Sequence, residues 1–175
     1  MKQLSALSLA IGLLGAIATW ICLKFGGLLI WAVFIAWGCF FHCGGDDSAL
    51  RNTIISNIFG SLVASIAALI ILNVPLANAL SLPLWAAIVV GVTVWFICIA
   101  ANMKALSAIP ANVYGYAATF AFLLQTPDRL STQALTSVGM NNAFIAVSVS
   151  MVVGALFGYA SAKLGATLMT KTASA

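Results

Sequence analysis

The sequence predicts an all-α integral membrane protein with six transmembrane helices. Of its 175 residues, 63% are hydrophobic and only 6% are charged, and the mean hydropathy is +1.15. A soluble domain carries about a quarter of its residues as charges, whereas lipid covers a membrane domain. The lysines are scattered and form no basic face, so the net charge of +4 does not indicate nucleic-acid binding. We therefore expect one polytopic domain over residues 1–175 in a lipid bilayer.

Six apolar blocks supply the predicted helices, and two of the blocks are short. A helix needs about 20 apolar residues to cross a bilayer. Four blocks reach this length, at residues 4–23, 53–72, 84–103 and 143–162. The second and fifth blocks cover only residues 28–41 and 111–124. These two are either tilted helices extended by their flanks or re-entrant helices that stop inside the bilayer, and length does not choose between the alternatives.

The positive residues predict the orientation of the chain. Cytoplasmic segments of membrane proteins are enriched in Lys and Arg. With the amino terminus inside, the outer segments hold only Lys24 and Arg129. The inner segments then hold the other five positive residues: Lys2, Arg51, Lys104, Lys163 and Lys171. This asymmetry predicts six crossings with both termini in the cytoplasm.

The two halves of the chain show limited self-similarity, over residues 4–72 and 84–163. Their short blocks align without gaps, residues 31–41 over residues 110–120. Three crossings per half is an odd number, so the two copies would enter the membrane in opposite senses. Inverted repeats of this kind occur in transporters, where the pathway lies at the repeat interface. A chance alignment of small and aromatic residues is the alternative, and it stays open.

The short blocks also supply the candidate pore. Their alignment sets Trp37 against Tyr116 and Phe41 against Phe120, which gives each block an aromatic pair at i, i+4 on one helical face. Selectivity in a narrow pore comes from its diameter and from a few hydrogen-bonding groups. Three polar residues in or beside the short blocks complete the predicted lining: His42, Asn112 and Thr119.

Every carboxylate follows a short block, and an arginine lies beside each acidic patch. Asp46 and Asp47 precede Arg51, and Asp128 precedes Arg129. As functional groups, these charges would mark a mouth on each side of the membrane and attract a solute. As structural groups, they would pair with the arginines in exposed loops, where ion pairs contribute little, or cap the start of the third helix. Both interpretations stay open.

The inventory of reactive side chains argues against an enzyme. His42 is the only histidine and the carboxylates lie in loops, which leaves no triad and no intramembrane aspartate pair. Cys39, His42 and Cys43 are metal-ligand types, but a closed site needs about four ligands. A helix end at Gly44 is the simpler interpretation. No charged residue falls inside a block, which disfavours coupled pumping. We expect no catalytic residue, metal or cofactor.

Several glycine and aromatic motifs resemble a known family. They are Gly-Cys-Phe-Phe at 38–41, the glycine pair at 44–45, Gly-Tyr-Ala-Ala-Thr-Phe at 115–120 and Leu-Phe-Gly-Tyr-Ala at 156–160. These segments resemble the DUF1097 family of small bacterial inner-membrane proteins, over residues 12–163. The resemblance implies a multi-pass protein of the bacterial inner membrane, and the family label carries no assigned activity.

Because catalysis and coupled pumping are disfavoured, the sequence favours passive passage of a solute. We expect a homo-oligomeric channel or facilitator for a small neutral or weakly polar solute, such as urea, an amide, or a weak acid or base in its neutral form. An oligomer is expected because six helices leave little room for a pathway within one chain. The alternative is a non-conducting structural or accessory membrane subunit that binds a partner through faces of small residues. Two such faces have four-residue spacing: Ser8, Gly12 and Ala16, and Gly154, Gly158 and Ala162.

Overall fold

The computed structural model describes the backbone of residues 2–173 and the side chains of residues 2–169. Regular secondary structure in this range is helical, which confirms the predicted all-α class. The α-helices are α1 (Gln3–Phe25), α2 (Ile30–His42), α3 (Asp47–Asn73), α4 (Ala77–Leu80), α5 (Leu82–Ile99), α6 (Ile109–Gln125), α7 (Thr132–Thr136) and α8 (Ala143–Ala173). Two 3₁₀ turns, Ala100–Asn102 and Lys104–Leu106, connect α5 to α6. Each of the six apolar blocks therefore forms a helix.

The turn between α2 and α3 combines the predicted glycine end with a carboxylate cap. Gly44 and Gly45 have φ angles of +120° and +73°, which glycine adopts without strain. The Gly45 N–H donates to the carbonyl of Phe40 at 3.1 Å and closes the end of α2. Oδ1 of Asp46 then accepts from the N–H of Ala49 at 2.7 Å. This bond satisfies a free amide of the first turn of α3 and confirms the predicted cap.

The second half uses proline, serine and asparagine to begin its helices. Pro83 and Pro110 lie in the first turns of α5 and α6, where a missing N–H costs nothing. The Ser131 hydroxyl accepts from the N–H of Ala134 at 3.2 Å at the start of α7. The side-chain oxygen of Asn142 accepts from the amide two residues further on, at 2.9 Å, as α8 begins. Local chemistry thus marks where α5, α6, α7 and α8 begin.

The long helices α3 and α8 form the centre of the bundle. They pack against each other, and each carries one short helix: α6 lies along α3, and α2 lies along α8. The Leu29 N–H donates to Ser150 Oγ at 2.9 Å, and Trp37 Nε1 donates to Ser161 Oγ at 3.0 Å. Because these contacts advance together along both helices, α2 and α8 are parallel. The outer helices α1 and α5 pack against α8 and α3, respectively.

One end of the bundle gathers α1, α8 and the turn between α2 and α3. A Cβ added at Gly165 would lie 3.2 Å from Cα of Leu7, so the first turns of α1 lie beside the last turns of α8. At the same end, Lys163 Nζ of α8 lies 3.5 Å from Asp47 Oδ1. The positive residues near these elements therefore share one end, although the side chain of Lys171 lies outside the described residues.

The opposite end contains the turns after α1, α3 and α6. The Thr132 hydroxyl of α7 donates to the side-chain oxygen of Asn73, the last residue of α3, at 3.1 Å. Met140, just before α8, lies 3.9 Å from a Cβ built on Gly27. The acidic patch at Asp128 is therefore at the end of the bundle opposite Asp46.

Four helices are long and apolar enough to cross a membrane. These stretches have mean hydropathies between 2.0 and 2.4 and cover Gln3–Phe25, Asp47–Asn73, Leu82–Asn102 and Ala143–Met169. The short helices α2 and α6 have 13 and 17 residues. At 1.5 Å per residue they measure about 20 and 25 Å, against a hydrocarbon core of about 30 Å. The prediction of six crossings depends on these two helices and stays a prediction.

The two predicted faces of small residues differ in whether another helix packs against them. On α8, a Cβ added at Gly154 would overlap the carbonyl of Val33, and one added at Gly158 would lie 2.9 Å from the Phe40 ring. This face therefore packs inside the molecule against α2, as small residues allow in lipid. On α1, no atom lies within 4 Å of a Cβ built at Gly12, and the rest of that face is exposed. The α1 face is open.

Candidate solute site

Helices α3 and α6 touch backbone to backbone at two glycines. A Cβ placed on Gly60 would overlap the carbonyl of Asn112. Reciprocally, a Cβ placed on Gly115 would overlap the carbonyl of Asn57. Only glycine fits either position without moving a helix, because the overlapping atoms belong to backbone rather than to flexible side chains. The side chains beside the glycines are therefore held in a tightly packed interface.

Six polar side chains of α3 and α6 are buried around this contact. None is more than 1% exposed, and in the interior of an apolar bundle each would be costly without a hydrogen bond. The four that belong to α3, from Thr53 to Ser61, extend over about 12 Å along the helix axis, because each residue adds about 1.5 Å. We call all six the polar row: Thr53, Ser56, Asn57, Ser61, Asn112 and Thr119.

Hydrogen bonds anchor the α6 members of the polar row. The Asn112 side-chain N–H₂ donates to the carbonyls of Ile97 and Leu106, at 3.1 and 3.0 Å. This amide therefore ties α6 to the end of α5 and to the 3₁₀ turn that follows. Thr119 Oγ1 lies 2.7 Å from Ser61 Oγ and 2.9 Å from a carbonyl one turn earlier on α6. These bonds fix the spacing and register of α3 and α6.

Four atoms of the polar row lack a hydrogen-bond partner among the described residues. They are Thr53 Oγ1, Ser56 Oγ, Asn57 Nδ2 and Asn112 Oδ1. The set offers an N–H₂ donor, a carbonyl acceptor and two hydroxyls that can serve as either. Each unmet buried group costs about 1–3 kcal/mol. The bonds that these groups leave unmade match those of water or of a compact neutral molecule with both donors and acceptors.

The residues first considered as metal ligands make other contacts. Cys39 Sγ lies 3.9 Å from Asn57 Oδ1, so this thiol borders the polar row. His42 Nδ1 lies 3.0 Å from the hydroxyl of Tyr114 at the surface, and this contact joins α2 to α6. In the described part of the chain, no group of three His, Cys, Asp or Glu side chains is placed to hold a metal ion. His42, a predicted pore residue, therefore lies at the surface, where α2 contacts α6.

The predicted aromatic pair of α2 has other partners. Trp37 is buried, and its ring stacks on Phe34 and Phe157 at centroid distances of 5.7 and 5.6 Å. Phe41 is half-buried and contacts Phe40 edge to face at 5.1 Å. Trp37 therefore contributes to the contact between α2 and α8, while Phe41 lies near the end where α2 turns.

The predicted aromatic pair of α6 is formed. The rings of Tyr116 and Phe120 lie 5.1 Å apart, as their i, i+4 spacing predicts. The Tyr116 hydroxyl lies 2.8 Å from Thr93 Oγ1 on α5. The pair thus packs α6 against α5 and α3, on the side of α6 that also carries the polar row.

The charges at the α2–α3 turn have separate roles. The amide of Ala49, which donates to the Asp46 carboxylate, is the main cause that lowers the pKa of Asp46. Asp47 pairs with Lys163 rather than with Arg51, and both members of this pair are largely exposed. The predicted pairing with Arg51 is wrong, because the cap engages Asp46 and α8 places Lys163 beside Asp47.

The charges after α6 line a shallow cleft at the other end. Asp128 has a φ of +61°, a left-handed conformation at the turn between α6 and α7. It borders a cleft of about 230 Å³ together with Arg129, Ser131 and Asn141. This patch and the α2–α3 turn therefore lie at opposite ends of the bundle, and their role as mouth charges stays a prediction.

Sequence reasoning selected the α6 members of the polar row but missed most of the α3 members. The spacing of α3 contained the signal. Polar residues recur every fourth position, at 53, 57, 61 and 65, and small residues recur at 56, 60, 64 and 68. Two adjacent rows at this period form one stripe on a helix, polar beside small. A stripe of this kind within an apolar block predicts a buried polar interface.

The chain matches one known family. The family described as "Protein of unknown function (DUF1097)" matches residues 8–166, which include α2, α6 and the whole polar row. No curated protein and no solved structure matches the chain. Because the match covers most of the sequence, it confirms the resemblance seen in the glycine and aromatic motifs. The chain belongs to the DUF1097 family.

Proposed function

We propose that the protein is a homo-oligomeric membrane channel or facilitator for a small neutral or weakly polar solute. Urea, a small amide, or a weak acid or base in its neutral form has suitable chemistry. The polar row carries the proposal, because four of its polar atoms lie inside an apolar bundle without a hydrogen-bond partner in the part of the chain that the structure describes. A neutral solute could satisfy them in turn. An ion would require an opposite charge beside the row, which is made of amides and hydroxyls.

A groove between α2 and α6 supports the oligomeric form of the proposal. It has a volume of about 590 Å³, opens on the surface, and is lined in part by Gly38, Cys39 and Ala117. Cys39 also lies 3.9 Å from Asn57 Oδ1, so this residue borders both the groove and the polar row. A second copy covering the groove would convert it into an enclosed passage beside the row. The pathway would then be shared between protomers.

An inverted repeat accounts for the way the short helices pack. The gap-free alignment sets Val33 of α2 against Asn112 of α6. The carbonyl of Val33 meets Gly154 of α8, and the carbonyl of Asn112 meets Gly60 of α3. Each short helix thus lies along the third helix of the other half, and the contact is made at an equivalent carbonyl. Such reciprocal packing, in which each short helix contacts the opposite half, is expected for two copies related by an axis in the membrane plane.

The same arrangement favours six crossings. On α3 and α6, the contacts advance from Asn57 beside Gly115 to Ser61 beside Thr119, so these helices are parallel. With α2 parallel to α8 as well, a chain that crosses at every block satisfies all the observed directions. We place both termini in the cytoplasm of a bacterial inner membrane, because the end near Leu7 also gathers most of the positive side chains.

A permeability assay with matched variants tests the proposal. In proteoliposomes, the parent protein should admit urea or acetamide faster than empty liposomes do. Ser56→Ala removes a hydroxyl that has no partner among the described residues, so stability should be unchanged or increased. Thr53→Val removes a hydroxyl that lies beside the thiols of Cys39 and Cys43. Solute flux should nevertheless fall about 5–10-fold, the equivalent of one lost hydrogen bond of about 1–1.5 kcal/mol.

Ser65→Ala is the control for this assay. Ser65 is buried on the same helix but already donates to the carbonyl of Ser61 at 3.0 Å. Its removal should leave flux at the parental level. If no solute in a panel of small amides, weak acids and weak bases enters faster than through empty liposomes, the channel proposal fails. Equal flux in the parent and in Thr53→Val would remove the polar row from the pathway.

The open face of α1 favours a second candidate function, a non-conducting accessory subunit. Its small residues leave Gly12 without an atom within 4 Å, and large apolar side chains such as Leu13 and Trp20 flank it. Such a face allows close approach of another helix in lipid. Under this alternative, liposomes show no flux, and Gly12→Leu abolishes the association of the subunit with its partner.

A further inference from the structure

A second cleft lies between the start of α3 and the turn that precedes α6. Its volume is about 590 Å³, and it is separate from the α2–α6 groove. Two cationic side chains and several small polar ones form its walls. The lining residues are Ser48, Arg51, Asn52, Lys104, Ala105 and Ser107. No carboxylate is among them, although two of the three in the chain lie immediately before Ser48.

Both cations of this cleft are without an ion-pair partner among the described residues. The carboxylates of this end are engaged elsewhere: Asp46 caps α3, and Asp47 pairs with Lys163. Arg51 and Lys104 are exposed and line one cleft from opposite walls, one on α3 and one on the 3₁₀ turn. Two like charges held on one cleft repel each other, so an anion between them would be stabilised by both.

The wall that carries Lys104 is held in place by buried contacts. Leu106 is buried, and its carbonyl accepts from the Asn112 side chain at 3.0 Å. Within the turn, the Ser107 hydroxyl donates to the carbonyl of Lys104 at 3.1 Å. The cleft is therefore bordered on one side by a continuous helix and on the other by a turn anchored inside the bundle.

The cleft at the opposite end has a different character. It is smaller, at about 230 Å³, and Asp128 lines it beside Arg129, so a carboxylate accompanies the cation. Arg51 and Lys104 face no such carboxylate within their cleft. Anion binding is therefore expected at one end of the bundle and not at the other.

We infer that the cleft between Arg51 and Lys104 binds a phosphate group, as carried by the head group of an anionic phospholipid or by a free phosphate. An arginine fork and a lysine ammonium are the usual phosphate partners. Asn52 adds an amide donor beside them. The cleft lies at the end of the bundle where a lipid head group would sit, and basic pockets at the cytoplasmic surface bind anionic lipid head groups. The site is distinct from the solute pathway.

Native mass spectrometry in a neutral detergent tests the inference. The full chain should retain phosphatidylglycerol in preference to phosphatidylcholine. Arg51→Gln and Lys104→Gln should each weaken this retention about fivefold, since each cation near a membrane surface contributes about 1 kcal/mol. Lys24→Gln is the matched control, because Lys24 is also an exposed lysine but lies at the opposite end of the bundle.

A second arm distinguishes the two sources of phosphate. Thermal stability is measured with inorganic phosphate against chloride at equal ionic strength. Stabilisation by phosphatidylglycerol alone assigns the cleft to lipid, and stabilisation by inorganic phosphate assigns it to a free anion. If neither ligand stabilises the parent more than the Arg51→Gln/Lys104→Gln double variant, the inference is wrong. It is equally wrong if Lys24→Gln loses as much lipid as Lys104→Gln.

Discussion

Replacing Gly60 with alanine should force α3 and α6 apart. The new Cβ would overlap the carbonyl oxygen of Asn112 and would lie 2.8 Å from the Tyr116 amide nitrogen. Ordinary van der Waals contacts of a Cβ begin at 3.4 Å. Both neighbours are backbone atoms of a rigid helix, so no side-chain rotation can relieve the contact.

The magnitude follows from three contributions. Overpacking a tight contact costs about 1–3 kcal/mol, and the upper value applies because the clash is with backbone. Separation of the helices would also break the 2.7 Å contact between Thr119 and Ser61, a loss of about 1 kcal/mol. Alanine in place of glycine returns about 1 kcal/mol in helix propensity. The last two nearly cancel, so we expect a net destabilisation of about 3 kcal/mol.

Gly12→Ala is the matched control for this prediction. No atom lies within 4 Å of its new Cβ, so stability should be unchanged or rise by up to about 1 kcal/mol. Reversible unfolding in mixed detergent, followed by tryptophan fluorescence, gives the two free energies. If Gly60→Ala and Gly12→Ala differ by less than about 1 kcal/mol, the backbone contact between α3 and α6 is not present.

Two further predictions concern single hydrogen bonds. Trp37→Phe keeps the stacked ring but removes the 3.0 Å bond to Ser161, so it should cost about 1 kcal/mol. A double-mutant cycle with Ser161→Ala should return a similar coupling energy, and additive effects would contradict the bond. The Ala49 amide lowers the pKa of Asp46 in the folded protein. The ionised carboxylate therefore stabilises the fold fully above its unfolded pKa of about 4. This stability is lost as the pH falls through the lower, folded pKa. Asp46→Asn retains a capping oxygen without titrating, so its melting temperature should fall less than the parent's in acid, and parallel curves would refute the cap.

The helices could be predicted from the sequence because each is bounded by local chemistry. Apolar runs end at glycine pairs or at residues that cap the next helix, such as Gly44 and Asp46. These signals depend only on neighbours in the chain. The i, i+4 spacing predicted the Tyr116–Phe120 ring pair correctly. The same spacing did not decide the partners of Trp37 and Phe41, whose rings contact Phe157 and Phe40, respectively.

The candidate site was only partly predictable, because its residues are brought together by packing between helices. Asn112 and Thr119 were selected for their place in a short block. Thr53 and Ser56 were not, since a hydroxyl within a long apolar block does not by itself show whether it faces lipid or another helix. Their significance depends on α6 lying along α3, which local sequence does not specify.

By itself, the sequence determined the class of protein and the six helices of the apolar blocks, because composition and local hydrogen bonding decide these. It did not predict α4 or α7, nor that α3 begins at Asp47 and α8 continues to Ala173. Only the tertiary structure decided which helices are partners: α6 with α3, α2 with α8, and Asp47 with Lys163 rather than Arg51. In lipid, apolar side chains are equally solvated on every face, so hydrophobicity does not choose a partner. The choice is steric. It depends on where glycines such as Gly60 and Gly154 let a neighbouring carbonyl approach, and that fit exists only in three dimensions.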